Sequence, residues 1–327
     1  MNLLKKLTRQ REFLILMVVT AVFIVMSFAS PIFLKPQNLL VLLLSMSIET
    51  IIAVGMVNLM VSGGFDMSVG SILGFSGVIT AILLRAGFPI FLAILLALCV
   101  GVLIGLWNGF LVAKVKINPF VTTLSSLSIF RGLTFVLTSG RNIAGLPAGF
   151  KLIGQTRIGG MVQLPIIYAL VILVIGDILM RNSSFFRQNY YIGGNEKAAK
   201  LSGINVDRMI IFNYILTGFL AALAGVIFTS RMGSSSCQAG TGWELRVITA
   251  VILGGASLRG GSGTVLGAFL GVLLMGLISN MLTLLGVDVY WQQFVVGTVL
   301  ISAVVIDTLG RSENILFSRI RRTNKEY

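Results

Sequence analysis

The chain of 327 residues contains no histidine, which removes the commonest general base and the usual imidazole ligand of zinc sites. Its two cysteines, Cys99 in an apolar run and Cys237 in a polar loop, are placed too differently to expect a disulfide or a thiolate metal site. Acidic residues number only 11 and charged residues of both signs make up 11%, too few to cover the surface of a soluble domain. No Gly-Lys dipeptide occurs, so there is no G-x-x-x-x-G-K-[ST] phosphate loop. The glycine-rich GGSGTVLG follows an apolar run rather than a strand and lacks the G-x-G-x-x-G spacing of a dinucleotide site. The chain is therefore expected to be no enzyme and to carry no cofactor or metal of its own. Any nucleotide energy has to come from another chain.

What it has instead is hydrophobicity, at 56% of residues. The apolar runs are long and carry Gly, Ser and Thr, not the short alternating pattern of an outer-membrane barrel. The expected fold class is an all-α polytopic membrane protein. Ten spans are read, over Phe13–Ala29, Leu39–Met60, Met67–Leu84, Phe88–Ala113, Phe120–Thr138, Leu164–Met180, Met209–Ser230, Leu245–Leu258, Thr264–Leu285 and Tyr290–Leu309. Several are short for about 30 Å of hydrocarbon, which predicts tilted or broken helices. The first, behind a basic start, exceeds a signal-peptide core and is read as a retained span.

The net charge of +14 is an orientation signal rather than a nucleic-acid footprint. With both termini cytoplasmic, 17 Lys and Arg fall inside and seven outside, Arg131 being left within a span. That division gives a basic N-terminal segment over 1–12, a transmembrane body over 13–309 and a basic tail over 310–327. It also places the longest polar interval, Arg181 to Arg208, in the cytosol.

This interval carries a miniature helix. Asn195 is an N-cap, Glu196 occupies the first turn and Gly203 supplies a left-handed stop. With Ala198, Ala199 and Leu201 as its apolar part, so short a peg is the right size to sit on another protein.

Polar groups interrupt the spans at few places. Ser62-Gly63-Gly64-Phe65-Asp66-Met67-Ser68 breaks two apolar runs; Asp66 and Ser68 either cap the next helix or line a pathway or gate. Glu49 and Asn58, also candidates for the pathway or gate, share one span on opposite faces and line one narrow pathway together only if the helix breaks between them; Glu49 is either neutral or paired, with Arg131 as the candidate cation. Asn118, a further candidate for the pathway or gate, opens a hydroxyl-rich span whose Thr and Ser side chains either meet a polyol or back-bond to their own helix. Gly101, Gly105 and Gly109, like Gly263, Gly267 and Gly271, form small-residue faces for close helix packing. A faint echo between Gly63–Gly74 and Gly254–Gly267 suggests two similar breaks approaching one membrane face.

Five segments together resemble the permease subunits of bacterial ribose-type sugar importers of the ATP-binding-cassette class, from about Leu14 to Leu309. They are SGGFDMSVGS (Ser62–Ser71), IGGNEKAAKLSGINV (Ile192–Val206), AGTGWEL (Ala239–Leu245), AVILGGASLRGGSGTVLG (Ala250–Gly267) and LLGV (Leu284–Val287). The resemblance implies a multi-pass protein of the bacterial cytoplasmic membrane in which two permease subunits, identical or not, enclose a pathway. A cytoplasmic ATPase dimer would use ATP and Mg, and an extracytoplasmic sugar-binding protein would deliver substrate. Asn195, Glu196, Ala198, Ala199 and Gly203 fall on the loop that couples to the ATPase in such systems. Lys197 departs from the small residue often found there. Importers of branched-chain amino acids or nucleosides are the nearest alternative, and a channel or an intramembrane enzyme the distant one.

Overall fold

The structure, a computed structural model, describes residues 11–288 and 290–305. The basic N-terminal segment up to residue 10, the end of the tenth expected span and the basic tail lie outside the described residues. The element order is α1 (Arg11–Ala29), α2 (Pro36–Val61), α3 (Val69–Arg85), α4 (Ile90–Ala113), α5 (Pro119–Thr138) and α6 (Ala148–Gln155). A two-stranded antiparallel hairpin follows, β1 (Arg157–Ile158) and β2 (Val162–Gln163). The chain continues through α7 (Leu164–Asn182), α8 (Ser184–Gly194), α9 (Glu196–Leu201), α10 (Val206–Met232), α11 (Trp243–Leu253), α12 (Val265–Leu284) and α13 (Tyr290–Val305).

Among the described residues seven helices are long and apolar enough to cross a membrane: α1, α2, α4, α5, α7, α10 and α12. The chain is a polytopic helical membrane protein. Two of the ten expected spans form short helices. α3 has 17 residues and α11 has 11, while α13 is described only as far as Val305. At 1.5 Å per residue α11 covers roughly 16 Å, about half of a hydrocarbon core. The sequence run Leu245–Leu258 reads as longer because the helix stops at Gly254–Gly255 while the apolar composition continues through Ala256 and Leu258.

α2 and α10 form the centre, and α10 packs most extensively against α4. Glycine permits this. A Cβ on Gly105 would run into the Tyr214 carbonyl and the Ile215 backbone, and one on Gly109 would sit 2.8 Å from Ile211 Cα. The second glycine face, Gly267 and Gly271, lies equally close to Gly254 and Ala250 of α11. Both faces therefore serve packing within one subunit, where close backbone approach maximises dispersion contacts.

The bundle has two distinguishable ends. At one, α6 and the Ile143–Ser235 bridge lie beside the C-terminus of α10, with Gly154 against Ser230 and Arg231. At the other, the end of α2 and the start of α10 surround α8 and α9, the peg. The link from Met232 to Trp243 starts at the first end and dips inward, bringing Gly240 against Gly70 near the start of α3. α11 then runs from the interior to the peg end.

Candidate functional site at the peg end

The peg is α9, six residues long, and its sequence signals operate as capping chemistry predicts. The Asn195 side chain accepts from Ala198 N at 3.0 Å, and Ser202 Oγ donates back to Ala198 O. Gly203, at φ +84°, ends the turn in the left-handed region that glycine tolerates without strain. Glu196 Oε1 accepts from Lys200 Nζ at 2.5 Å; the hydrogen bond and the adjacent charge raise the ammonium's pKa. That pair is solvent-exposed and orders the peg surface more than it stabilises it. Replacing Asn195 with Ala is expected to cost the peg about 1 kcal/mol, measured as faster amide exchange at Ala198 with exchange in α10 unchanged.

Ala199 is the peg's inward contact, buried with Ile192, Val206 and Met209. Ala198 is exposed, and Leu201 is 91% exposed. The apolar part expected from sequence is thus split: one methyl anchors the peg and one isobutyl group projects away from it. Lys197 also faces solvent.

Behind the peg stands α8, a helix not read from the sequence. Ser183 begins it, and Phe185 and Phe186 close edge-to-face on Phe212 of α10, with centroids 4.9 and 5.9 Å away. The signal was present as apolar residues at Phe186, Tyr190 and Gly193–Gly194 spacing, masked by six polar residues from Arg181 to Gln188.

The C-terminus of α8 is where the glycine-rich stretches meet. Gly261 N donates to Val61 O at 2.8 Å, and Gly193 fits against both of those groups so closely that a Cβ there would overlap them. A Cβ on Gly260 would fall 2.7 Å from Gly193 Cα and 2.9 Å from Gly63 Cα. Three segments remote in sequence, SGG, IGG and RGG, thus touch backbone to backbone. Both breaks end their helix in the same way. Gly63 N and Gly64 N return to Met60 O and Leu59 O, while Gly255 N and Ala256 N return to Ile252 O and Val251 O. Gly63 and Gly255 both have φ +92°. This is the Schellman ending, and it aligns Gly63 with Gly255, one residue away from the register of the sequence echo.

The candidate pathway residues fall into separate groups. Asn58, 3% exposed, accepts from Asn189 Nδ2 at 2.8 Å. Asp66 Oδ1 accepts from Ser68 N at 2.7 Å and Ser68 Oγ at 2.5 Å. Ser68 Oγ in turn accepts from Asn108 Nδ2 at 3.0 Å, and Asn108 Oδ1 from Ser126 Oγ at 2.5 Å. Asp66 is fully buried, and its Oδ2 has no partner. Asn118 is exposed and caps α5 by accepting from Phe120 N at 2.8 Å. A cavity of about 440 Å³ lies between this cap, Ser62–Gly64 and the peg's Glu196 and Lys200. Most α5 hydroxyls bond along their own helix, as Thr123 does to Pro119 O and Ser128 to Leu124 O; Ser126 is spent on Asn108.

Glu49 belongs to a different region, halfway along α2. Its partner is Arg246 of α11, at 3.2 Å, and not Arg131. Arg131 instead donates to Ala239 O at 2.7 Å. The candidate pairing failed because the sequence does not show that the chain re-enters at residues 233–242. This loop brings Ala239 to α5, and the turn of α11 that follows it carries Arg246 to α2. Asn108, Asn189, Asn213 and Arg246 were missed as functional candidates. Each polar side chain in or beside an apolar run was a usable signal, since such groups need a partner in hydrocarbon.

Among the described residues no group of His, Cys, Asp and Glu is placed to hold a metal ion. The architecture defines a class: a polytopic membrane protein with broken helices held in its interior and a capped peg at one end. Residues 38–304 match the family described as branched-chain amino acid transport system / permease component, and the chain belongs to that family. It is 43% identical over 286 residues to the ribose import permease protein RbsC of Bacillus subtilis, covering 87% of this chain and 88% of that one. To the Haemophilus influenzae protein of the same name it is 38% identical, over 92% and 93% of the two chains. To the autoinducer 2 import system permease protein LsrC of Salmonella choleraesuis it is 35% identical, over 98% and 91%. No solved structure gives a significant match.

Proposed function

We propose that this chain is the transmembrane subunit of an ATP-binding-cassette importer and, with a second permease subunit, forms the pathway for a pentose or related monosaccharide. A cytoplasmic ATPase pair hydrolyses Mg-ATP, and an extracytoplasmic binding protein delivers the sugar. The peg end faces the bacterial cytosol, in accord with the excess of Lys and Arg there, both termini are cytoplasmic, and the bundle crosses ten times if the shorter helices complete crossings. The observation that carries the reading is the exposed Leu201 on a capped peg whose supporting helix touches both broken-helix loops. An apolar side chain offered to solvent on a rigid mount is a docking anchor, and the mount leads directly to the breaks. The relatives named for ribose import agree with it.

The charges favour a neutral substrate over an amino acid. A zwitterion needs opposite charges free to receive it, whereas Glu49 and Arg246 already face each other. Vesicles holding the chain with its ATPase and binding protein should import a pentose, with uptake competed by pentoses and not by leucine or a nucleoside. Competition by leucine alone would transfer the assignment to amino acids, and conductance from the isolated chain would make it a channel. Leu201→Asp should weaken ATPase retention by about tenfold or more, as loss of an interface anchor does, without altering membrane insertion. Gly203→Pro and Glu196→Lys should likewise abolish uptake while leaving insertion intact.

A further inference from the structure

A buried amide network joins the peg's support to the helix breaks. Asn189 of α8 donates both hydrogens of its Nδ2, to Asn58 Oδ1 of α2 at 2.8 Å and Asn213 Oδ1 of α10 at 3.4 Å. Its Oδ1 accepts from Asn213 Nδ2 at 2.8 Å. Asn213 Nδ2 also donates to Ser62 Oγ at 3.1 Å, and Ser62 Oγ donates to Leu59 O at 2.7 Å. Asn58, Asn189 and Asn213 are each at most 3% exposed, so water cannot substitute for a lost partner. One residue further along α8, Tyr190 Oη donates to Gly263 O at 2.8 Å, in the second break.

We infer that Asn189 is a positioning residue that locks α8 to the first broken-helix loop while the neighbouring Tyr190 holds the second, so that displacement of the peg moves Ser62 and Gly263 together. The inference rests on the proposed importer function for its direction but on the hydrogen bonds for its geometry. Because Asn189 uses both donors and its acceptor at once, α8 cannot shift alone without stranding buried amides on α2 and α10. The network has few arrangements that satisfy every member, so it transmits a displacement instead of absorbing it. Apolar packing of the same volume would allow α8 to slide. Ser62 is the residue on which α2 ends, and Gly263 precedes the N-cap of α12, so both contacts act where a small rotation redirects a helix.

The test compares Asn189→Leu, which keeps the branched shape and loses the amide, with Asn58→Leu, which opens the network from α2 while leaving every residue of α8 unchanged. In the reconstituted complex both should retain the ATPase and hydrolyse ATP at close to the wild-type rate. Both should import fewer sugar molecules per ATP, by about tenfold or more. The Asn189→Leu/Asn58→Leu double variant should be no worse than either single one, since the amides act as a unit. A wild-type ratio in both single variants overturns the inference, as does a parallel fall of hydrolysis and import. A measurement without the ATPase separates this from failure of the importer reading. With spin labels at Lys197→Cys and Lys114→Cys in the purified chain, the exposed Cys99 being replaced by Ser, the lock predicts one narrow distance, broadened by Asn189→Leu. An unchanged distribution overturns the lock even if import is confirmed, and a broadened one supports it even if no sugar is found.

Discussion

Replacing Gly193 with Ala is expected to abolish transport, while the same change at Gly194 leaves it near the wild-type level. The two glycines are neighbours in sequence and differ in what surrounds them. A Cβ on Gly193 overlaps the Val61 carbonyl oxygen and the Gly261 nitrogen and comes within 2.9 Å of Gly260 Cα; one on Gly194 meets nothing within 4 Å. All three neighbours of Gly193 are backbone atoms, so no side-chain rotation can relieve the clash. The methyl group must separate α8 from the Val61–Gly261 hydrogen bond, and overpacking of this kind costs about 1–3 kcal/mol or more where the neighbours cannot yield. The cost falls where the peg's support packs against both breaks backbone to backbone, so the loss of uptake should exceed the loss of stability. Uptake in vesicles, beside a thermal unfolding curve for each variant in detergent, measures both. Normal uptake by Gly193→Ala would show that the backbone junction is dispensable.

The second large effect is expected at Glu49. Its carboxylate is 5% exposed and faces Arg246 at 3.2 Å, and Arg246 also donates to Ser279 Oγ at 3.1 Å. Glu49 Oε2 and Arg246 Nε have no partners, so the pair is incompletely solvated by the protein and depends on its mutual attraction. Glu49→Leu alone leaves a guanidinium without its counter-ion and should destabilise the chain by about 3–5 kcal/mol. Adding Arg246→Met removes the second charge, and the double variant should recover most of the loss, because an apolar pair of similar volume avoids desolvating ions. Thermal unfolding of the two single variants and the double completes the cycle. A double variant as unstable as Glu49→Leu would mean that the charges do more than neutralise each other.

The peg shows what was legible in advance. Asn195, Glu196 and Gly203 mark its start and stop because capping is local: an N-cap side chain reaches an amide three residues away, whatever the rest of the chain does. The long apolar helices were equally legible, since length and hydropathy alone bring a segment into lipid. The end of α11 was not. Its apolar run passes through Gly254 and Gly255 without a change of composition, and only the left-handed Gly255 shows where the helix ends. α8 was hidden for the opposite reason, its polar residues matching the loop around it while Asn189 turned inward.

By itself the sequence determined a histidine-free, polytopic helical protein without a nucleotide loop, carrying a short capped helix in its longest polar interval. These properties follow from local or additive physics: transfer to lipid and capping. Only the tertiary structure decided that SGG, IGG and RGG meet at one point, that Glu49 faces Arg246 and not Arg131, and that three asparagines share one buried network. Each depends on which backbones can approach and which buried polar groups find partners. That is settled by packing between segments as many as 200 residues apart, through distances that no local pattern encodes.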